Sequence, residues 1–475
     1  MKALHAPLLG LALCSASALC LATDLGQGMI TPSGPKVLSN SHGESNHWSG
    51  IGRLRREDGE QCIGSLIDTR DAEPASPGPA YVVTAGHCVS RHNGVIVQDQ
   101  PLKAQISFNY FGDTAADHRV FNTRRAIWSS IQGNDLALLE LDATLQEVMA
   151  RGIEPMKLGA PVAAGSEVLM VGEPAGAGTG LRLSACTEHD LPSLREGLWL
   201  WRNLKRNDCP GVADGASGSP MIDRASNRIV SVVNSLTQDA VAAIPVQRLL
   251  GCFAQGHANL DPRHCQLLPG FQFRLASPLH FSQFRKITVD AEGHLQPPTW
   301  GVAFTLDTPR YRYKVTRDPL ACEGPEGYSG TFPSSGGLID DPIAAEAGWH
   351  YLCLVGVTSA DALSWPGLMA NALSLPVRVL EAGAVALPKV TAERQANGDV
   401  KLSWQLQPPQ ITRYRVKRGP ATTTDCEDAK GYGRLTYQSY VFKADTFPLK
   451  VCTIAIDGTK ESSAPHTDLL LAEDA

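Results

Sequence analysis

The stretch Tyr81-Val82-Val83-Thr84-Ala85-Gly86-His87-Cys88 decides the reading of this chain. Its apolar run, Tyr81 to Thr84, reads as a buried strand, and a histidine follows at the end of it. Two other stretches answer it. Asn134-Asp135-Leu136-Ala137-Leu138-Leu139 places an aspartate at the head of a second apolar run. Gly215-Ala216-Ser217-Gly218-Ser219-Pro220 places a serine in a glycine-rich turn. Each piece alone has a bland reading: a packed histidine, a strand-end aspartate, a plain turn. In the order His, Asp, Ser they point together to acyl transfer at a serine. Serine is a poor nucleophile at its own pKa. It needs a base within hydrogen-bond reach, and that base needs an acceptor to fix its tautomer. Ser217 is the expected nucleophile, His87 the general base and then acid, and Asp135 the group that orients His87. A tight turn also lets the backbone N–H groups of Gly215 and Ser217 converge on a developing oxyanion.

Outward from these stretches, short apolar runs alternate with turn signals: Ser49 to Leu54, Cys62 to Ile67, Ala104 to Phe108, Leu136 to Leu141, Val168 to Gly172 and Arg228 to Val233. That spacing predicts an all-β barrel or sandwich rather than alternating strands and helices. The 44 Gly and 32 Pro, with few aromatics, agree with turn-rich β structure. A chain of 475 residues is too long for one ordinary core and predicts several domains. Its 43% hydrophobic and 19% charged residues are those of a globular protein. A net charge of −6 and the lack of a Lys/Arg run exclude an electrostatic footprint for nucleic acid.

Residues 1–22 read as a secretory signal, with Lys2 in the basic region, Leu8 to Leu21 apolar, and Ala18 or Ala22 before the cleavage point. The apolar run is short for a membrane span, and no other segment reaches transmembrane length. A lipid anchor on Cys14 or Cys20 is the alternative, disfavoured by the leucine before each. The expected location is secreted or periplasmic. Residues 23–47 are polar and read as an extended arm or propeptide. Of 12 cysteines, the ten beyond the signal read as disulfides in an exported chain. No C-x-x-C pair occurs, and His42, His47 and His92 are scattered in polar settings, so neither metal nor cofactor is expected. The glycines of Gly172 to Gly180 lack the Lys-Ser/Thr of a phosphate loop and read as a barrel loop.

The tail contains an internal repeat. Arg312-Tyr313-Lys314-Val315-Thr316-Arg317 aligns with Arg413-Tyr414-Arg415-Val416-Lys417-Arg418. Cys322 with Gly327-Tyr328 aligns with Cys426 and Gly431-Tyr432, and Cys353 with Cys452. A repeat of this length means tandem domains. They are placed at 281–382 and 383–475, with Cys322 paired to Cys353 and Cys426 to Cys452. The second copy has the ordered features of a fibronectin type III-like sandwich, with Trp404 in the strand Val400 to Trp404, and the first is looser. Arg413, Arg415 and Lys417 alternate and read as one exposed strand face.

Thr84-Ala85-Gly86-His87-Cys88, Asp135-Leu136-Ala137-Leu138-Leu139 and Gly215-Ala216-Ser217-Gly218-Ser219-Pro220 resemble the three motifs of chymotrypsin-like serine proteases of the trypsin superfamily. The serine motif is in its bacterial form. Cys62 to Ile67 resembles the strand that precedes the histidine. The resemblance implies a double β-barrel over residues 48–280, followed by two β-sandwich domains, with the site at the barrel seam. It implies a Cys62–Cys88 bridge, a second staple between Cys186 and Cys209, and a short loop closed by Cys252 and Cys265. Three residues depart from the best-known members. Ala216 stands where animal enzymes carry the aspartate that receives a new N-terminus on activation. Gly211 stands where trypsins carry a carboxylate, and Val233 where glutamyl-specific relatives carry a histidine. Asp208 and Asp214 leave open a displaced carboxylate.

The resulting expectation is a secreted serine endopeptidase acting on protein or peptide substrates. Its C-terminal modules would bind a cell surface or protein partner, or act as spacers. The competing reading is a binding or adhesion protein on an inactive protease scaffold, and a third is an esterase without proteolysis.

Overall fold

The computed structural model describes residues 24–70, 78–92, 94–173, 179–237, 241–267, 271–278, 281–360 and 369–472. The expected signal, with Cys14 and Cys20, lies outside them, as does part of the Gly172 to Gly180 loop. Almost all regular structure is strand. The α-helix Leu145–Ala150 starts where Thr144 and Glu147 form a capping box.

After β1 (Ser33–Val37) come the strands of a first barrel: β2 (Ile51–Arg56), β3 (Gln61–Ile67), β4 (Pro79–Thr84), β5 (Ile96–Pro101), β6 (Ala104–Phe108), β7 (Arg119–Ser130) and β8 (Leu136–Thr144). The order β7-β6-β2-β3-β4-β8 closes through the β7–β8 pairing, and β5 flanks β7. The second barrel follows: β9 (Ser166–Gly172), β10 (Arg182–Glu196), β11 (Trp199–Asn207), β12 (Pro220–Asp223), β13 (Arg228–Leu236) and β14 (Val241–Pro245). It closes as β10-β11-β14-β13-β12-β9 through the β9–β10 pairing. Closure removes the exposed sheet edges, and inward side chains fill each barrel.

The barrels pack along a seam. Ile63, Val83, Trp128 and Leu138 from the first share a core with Leu169, Leu183, Trp201 and Val232 from the second. The seam is also bridged by the Arg53–Glu173 ion pair and by Trp48 Nε1, which donates to Asn227 Oδ1 at 3.1 Å. The segment expected as an arm is docked. β1 pairs with β10, Leu38 is buried in the shared core, and the Asn40 and Ser41 amides donate to Asp113 of the first barrel.

Two further units follow. In the first, the sheet built on Arg310–Thr316, Gly348–Val357 and Leu373–Leu380 shares a core with a smaller sheet containing Val302–Leu306. Phe271 and Phe273 belong to this core, ahead of residue 281 where the sequence suggested the unit begins. In the second, Val400–Trp404 and Arg413–Pro420 lie in facing sheets around Trp404, Tyr414 and Val451. Among the described residues five disulfides form, Cys62–Cys88, Cys186–Cys209, Cys252–Cys265, Cys322–Cys353 and Cys426–Cys452, the pairings expected from the tail repeat and from the resemblance of the motifs.

The tail repeat recurs as a local structure. Tyr328 donates its hydroxyl to the Cys322 carbonyl at 2.8 Å, and Tyr432 does the same to Cys426 at 2.8 Å. Lys314 lies over the Tyr328 ring, and Lys417 over Tyr432. In register, Lys314 faces Cys353 and Lys417 faces Cys452. The structural equivalence is therefore Lys314 with Lys417 and Tyr311 with Tyr414, two residues displaced from the alignment by sequence.

Candidate active site

His87 sits in the short turn Gly86–Cys88 that ends β4, and the Cys62–Cys88 bridge ties this turn back to β3. Asp135 precedes β8, which pairs with β4 beside it. Its side chain is 0 % exposed. Both carboxylate oxygens are used: Oδ1 accepts from the His87 backbone N–H at 2.8 Å, and Oδ2 pairs with His87 Nδ1 at 2.7 Å. The carboxylate thereby holds the Nδ1–H tautomer and leaves Nε2 as the basic nitrogen. Burial draws the His87 pKa down, but the charge and hydrogen bond of Asp135 outweigh it, and the net shift is upward from 6.5. Arg91 and Glu60 act on the ring in opposite directions.

Ser217 is held by its neighbours. Its carbonyl accepts from the Ile63 N–H at 2.8 Å, a contact across the seam into β3. Gly218 has φ +85°, and a Cβ there would meet the Ile63 carbonyl oxygen at 1.9 Å, so only glycine fits. Gly215 also has positive φ, at +89°. Within the turn the N–H groups of Ala216, Gly218 and Ser219 are spent on Ala213, Val233 and Ala216 carbonyls. Among the described residues, the N–H groups of Gly215 and Ser217 make no such backbone bond. They are the two that the sequence singled out for an oxyanion.

His87, Gly215 and Ser217 line one cavity of about 430 Å³ at the seam, together with Ile131, Trp199, Trp201, Asp214, Val233 and Asn234. Of the doubtful specificity positions, Asp214 and Val233 are on its wall. Gly211 instead lies against Pro35 of the docked arm, and Asp208 accepts from the Thr187 amide on β10. Ala216 is buried.

Glu196, Trp199, Trp201 and Asn234 also line the cavity, and no motif in the sequence marks them. The first three come from the β10–β11 hairpin, where Glu196 faces Trp199 in register. Their signal was the short apolar run Leu198-Trp199-Leu200-Trp201, masked by the charges around it. Asn234 is 5 % exposed, and neither end of its amide has a hydrogen-bond partner among the described residues.

Cys62, His87 and Cys88 are the one group of metal-ligand type close together among the described residues. Their sulfurs are joined in a disulfide, so no thiolate is offered to a metal. No helix among the described residues is long and apolar enough to cross a membrane.

No curated protein matches the chain. Among solved structures, similar ones include an inactive serine-to-alanine mutant of Rv3671c from M. tuberculosis H37Rv, at 17% identity over 47% of this chain and 94% of that one, TM-score 0.30. A thermostable serine protease AL20 from an extremophilic microorganism is 15% identical over 42% of this chain and 92% of that one, TM-score 0.32. Kallikrein-related peptidase 10 in complex with Zn²⁺ is 16% identical over 43% and 93%, TM-score 0.31. Residues 64–232, the stretch that holds His87, Asp135 and Ser217, match the model of the trypsin-like peptidase domain.

Proposed function

We propose that the chain is an exported serine endopeptidase that works through an acyl-enzyme on Ser217. One observation carries this reading: His87, held by the buried Asp135 at both its ring Nδ1 and its backbone N–H, shares a cavity wall with a serine whose turn leaves two N–H groups uncommitted. Ser217 Oγ attacks the scissile carbonyl carbon while His87 Nε2 takes its proton. The Gly215 and Ser217 N–H groups receive the negative oxygen of the tetrahedral intermediate. Collapse breaks the C–N bond, and His87 returns the proton to the leaving amine. A water then repeats the sequence on the ester.

The same wall favours a P1 side chain that hydrogen-bonds and is not acidic. Asn234 offers a buried donor and acceptor, and Asp214 and Glu196 add negative charge to the cavity. Five disulfides and the signal-like residues 1–22 support export. The second C-terminal unit, with Trp404 in its core, supports the fibronectin type III-like reading and a binding or spacing role.

The test is active-site labelling. A fluorophosphonate probe labels Ser217 in the wild type and not in Ser217→Ala, and the wild type cleaves casein as well as small esters. A folded wild type that takes no label overturns the assignment, and label with ester turnover alone reduces it to an esterase.

A further inference from the structure

We propose that the first C-terminal unit is a working part of the active site, with Arg202 as a positioning residue that locks the loop presenting Asp135. The proposal rests on the assignment of Asp135 above.

Side chains alternate between the two faces of β11. Trp199 and Trp201 face the cavity. Leu198 and Arg202 face the other way, onto the C-terminal unit: Leu198 packs against its core, and the Arg202 side chain is fully buried. Across the hairpin, Arg195 lies with its guanidinium 3.5 Å from the centre of the Trp349 ring. The wall of the cleft is thus one strand thick, and its back face is covered by a different unit.

Arg202 is satisfied almost wholly by that unit. Its Nε donates to Glu323 at 3.0 Å, and its other nitrogens donate to the Ala370 and Ala372 carbonyls, at 3.2 and 2.9 Å, and to the Ser374 hydroxyl. Asn203 donates to the same carboxylate, and Arg248 lies 3.6 Å from it. The backbone of Arg202 in turn holds the loop before Asp135: its N–H donates to the Gly133 carbonyl at 3.1 Å, and Trp201 Nε1 donates to Ile131. Gln132 of that loop donates directly to the Asn371 carbonyl. Gly133 is sandwiched, since a Cβ on it would lie 2.5 Å from the Arg202 guanidinium and 3.4 Å from the Ala370 oxygen. A buried guanidinium keeps its place only while its carboxylate and carbonyl partners are present. Glu323 and the 370–374 segment therefore set where Gly133 and Asn134 lie, and through them where Asp135 meets His87.

The test uses the full chain. Arg202→Met and Glu323→Gln are compared with wild type and with Arg317→Gln, a control in the exposed Arg317–Glu346 pair of the same unit. In the two test variants kcat falls about tenfold or more while KM changes less than about threefold. The acid limb of kcat/KM moves to lower pH, because a displaced Asp135 supports the His87 cation less well. The downfield proton resonance of the His87 Nδ1–H weakens in step. Circular dichroism establishes folding, and Glu323→Gln, which preserves shape, is the deciding variant where Arg202→Met does not fold. Arg317→Gln leaves all readouts at wild-type values. Folded variants with wild-type kcat, acid limb and resonance overturn the proposal. A wild type that takes no fluorophosphonate label overturns the catalytic assignment instead, and the His87 resonance still decides whether the unit positions Asp135.

Discussion

At the residue scale the site is a set of small polar groups fixed by buried neighbours. In the proposed role His87 acts as a base only when neutral, and its pKa is raised by Asp135 against the opposing effect of burial. The sign follows: kcat/KM rises with pH through a midpoint above the ordinary 6.5, and Asp135→Asn brings that midpoint down while lowering kcat by about 10⁴. A wild-type midpoint below 6.5 contradicts the dominance of the Asp135 pairing. Asn234 makes a second prediction. Removing its amide in Asn234→Leu lowers kcat/KM for substrates with Gln, Asn or a basic residue at P1 by about tenfold or more, and leaves Leu at P1 unharmed. Equal loss on all P1 residues in a peptide library would make Asn234 a packing residue. His87, Asp135 and Ser217 were legible because each is a polar residue at the border of an apolar or glycine-rich run. Asn234 was not, because it follows the apolar Ile229 to Val233 run with nothing local to say that its amide lacks a partner.

At the element scale the β10–β11 hairpin and the tail strands show what alternation does and does not encode. A shift of two residues leaves every side chain on its original face, so both alignments of the tail repeat preserve the pattern. Cross-strand partners decide between them, and they put Tyr311 and Tyr414 in the equivalent core positions. Within the second barrel, Glu188 on β10 is buried against Ser231 on β13. Burial pushes its carboxyl up to about 7, outweighing the Ser231 hydrogen bond and the Lys205 charge. The folded state therefore binds this proton more tightly than the unfolded chain, whose value lies near 4.5. The stability it confers is complete below pH 4.5 and is lost as pH rises through 7. Glu188→Gln removes that dependence. Its unfolding free energy, from urea titration, matches wild type near pH 4.5 and exceeds it at pH 8 by on the order of 2–3 kcal/mol. A difference that stays constant from pH 4.5 to 8 would be inconsistent with a protonated Glu188.

At the scale of the whole molecule the two C-terminal units differ in their attachment. The first covers the back of the cleft. The second meets the first through Lys286, whose Nζ lies 2.6 Å from Glu461 and 3.5 Å from Asp457, and through Gly458 against the Phe284 ring. A joint made through charged side chains predicts a loosely held unit. Lys286→Met broadens the distance distribution in small-angle scattering and leaves kcat/KM within about twofold of wild type. A fall in turnover beyond that would extend the working unit to the chain's end. The sequence by itself determined the β architecture, the two tail disulfides and the candidate His, Asp and Ser, because periodicity, an internal repeat and short motifs can be read along the chain, while the other three pairings came from the resemblance of those motifs to a known family. Only the tertiary structure decided that residues 24–47 are docked, that β11 is a cleft wall with two covered faces, and that Arg202 is buried. Hydropathy marks an arginine as exposed, and its burial depends on Glu323 and the carbonyls at 370 and 372, partners brought together by the packing of separate units.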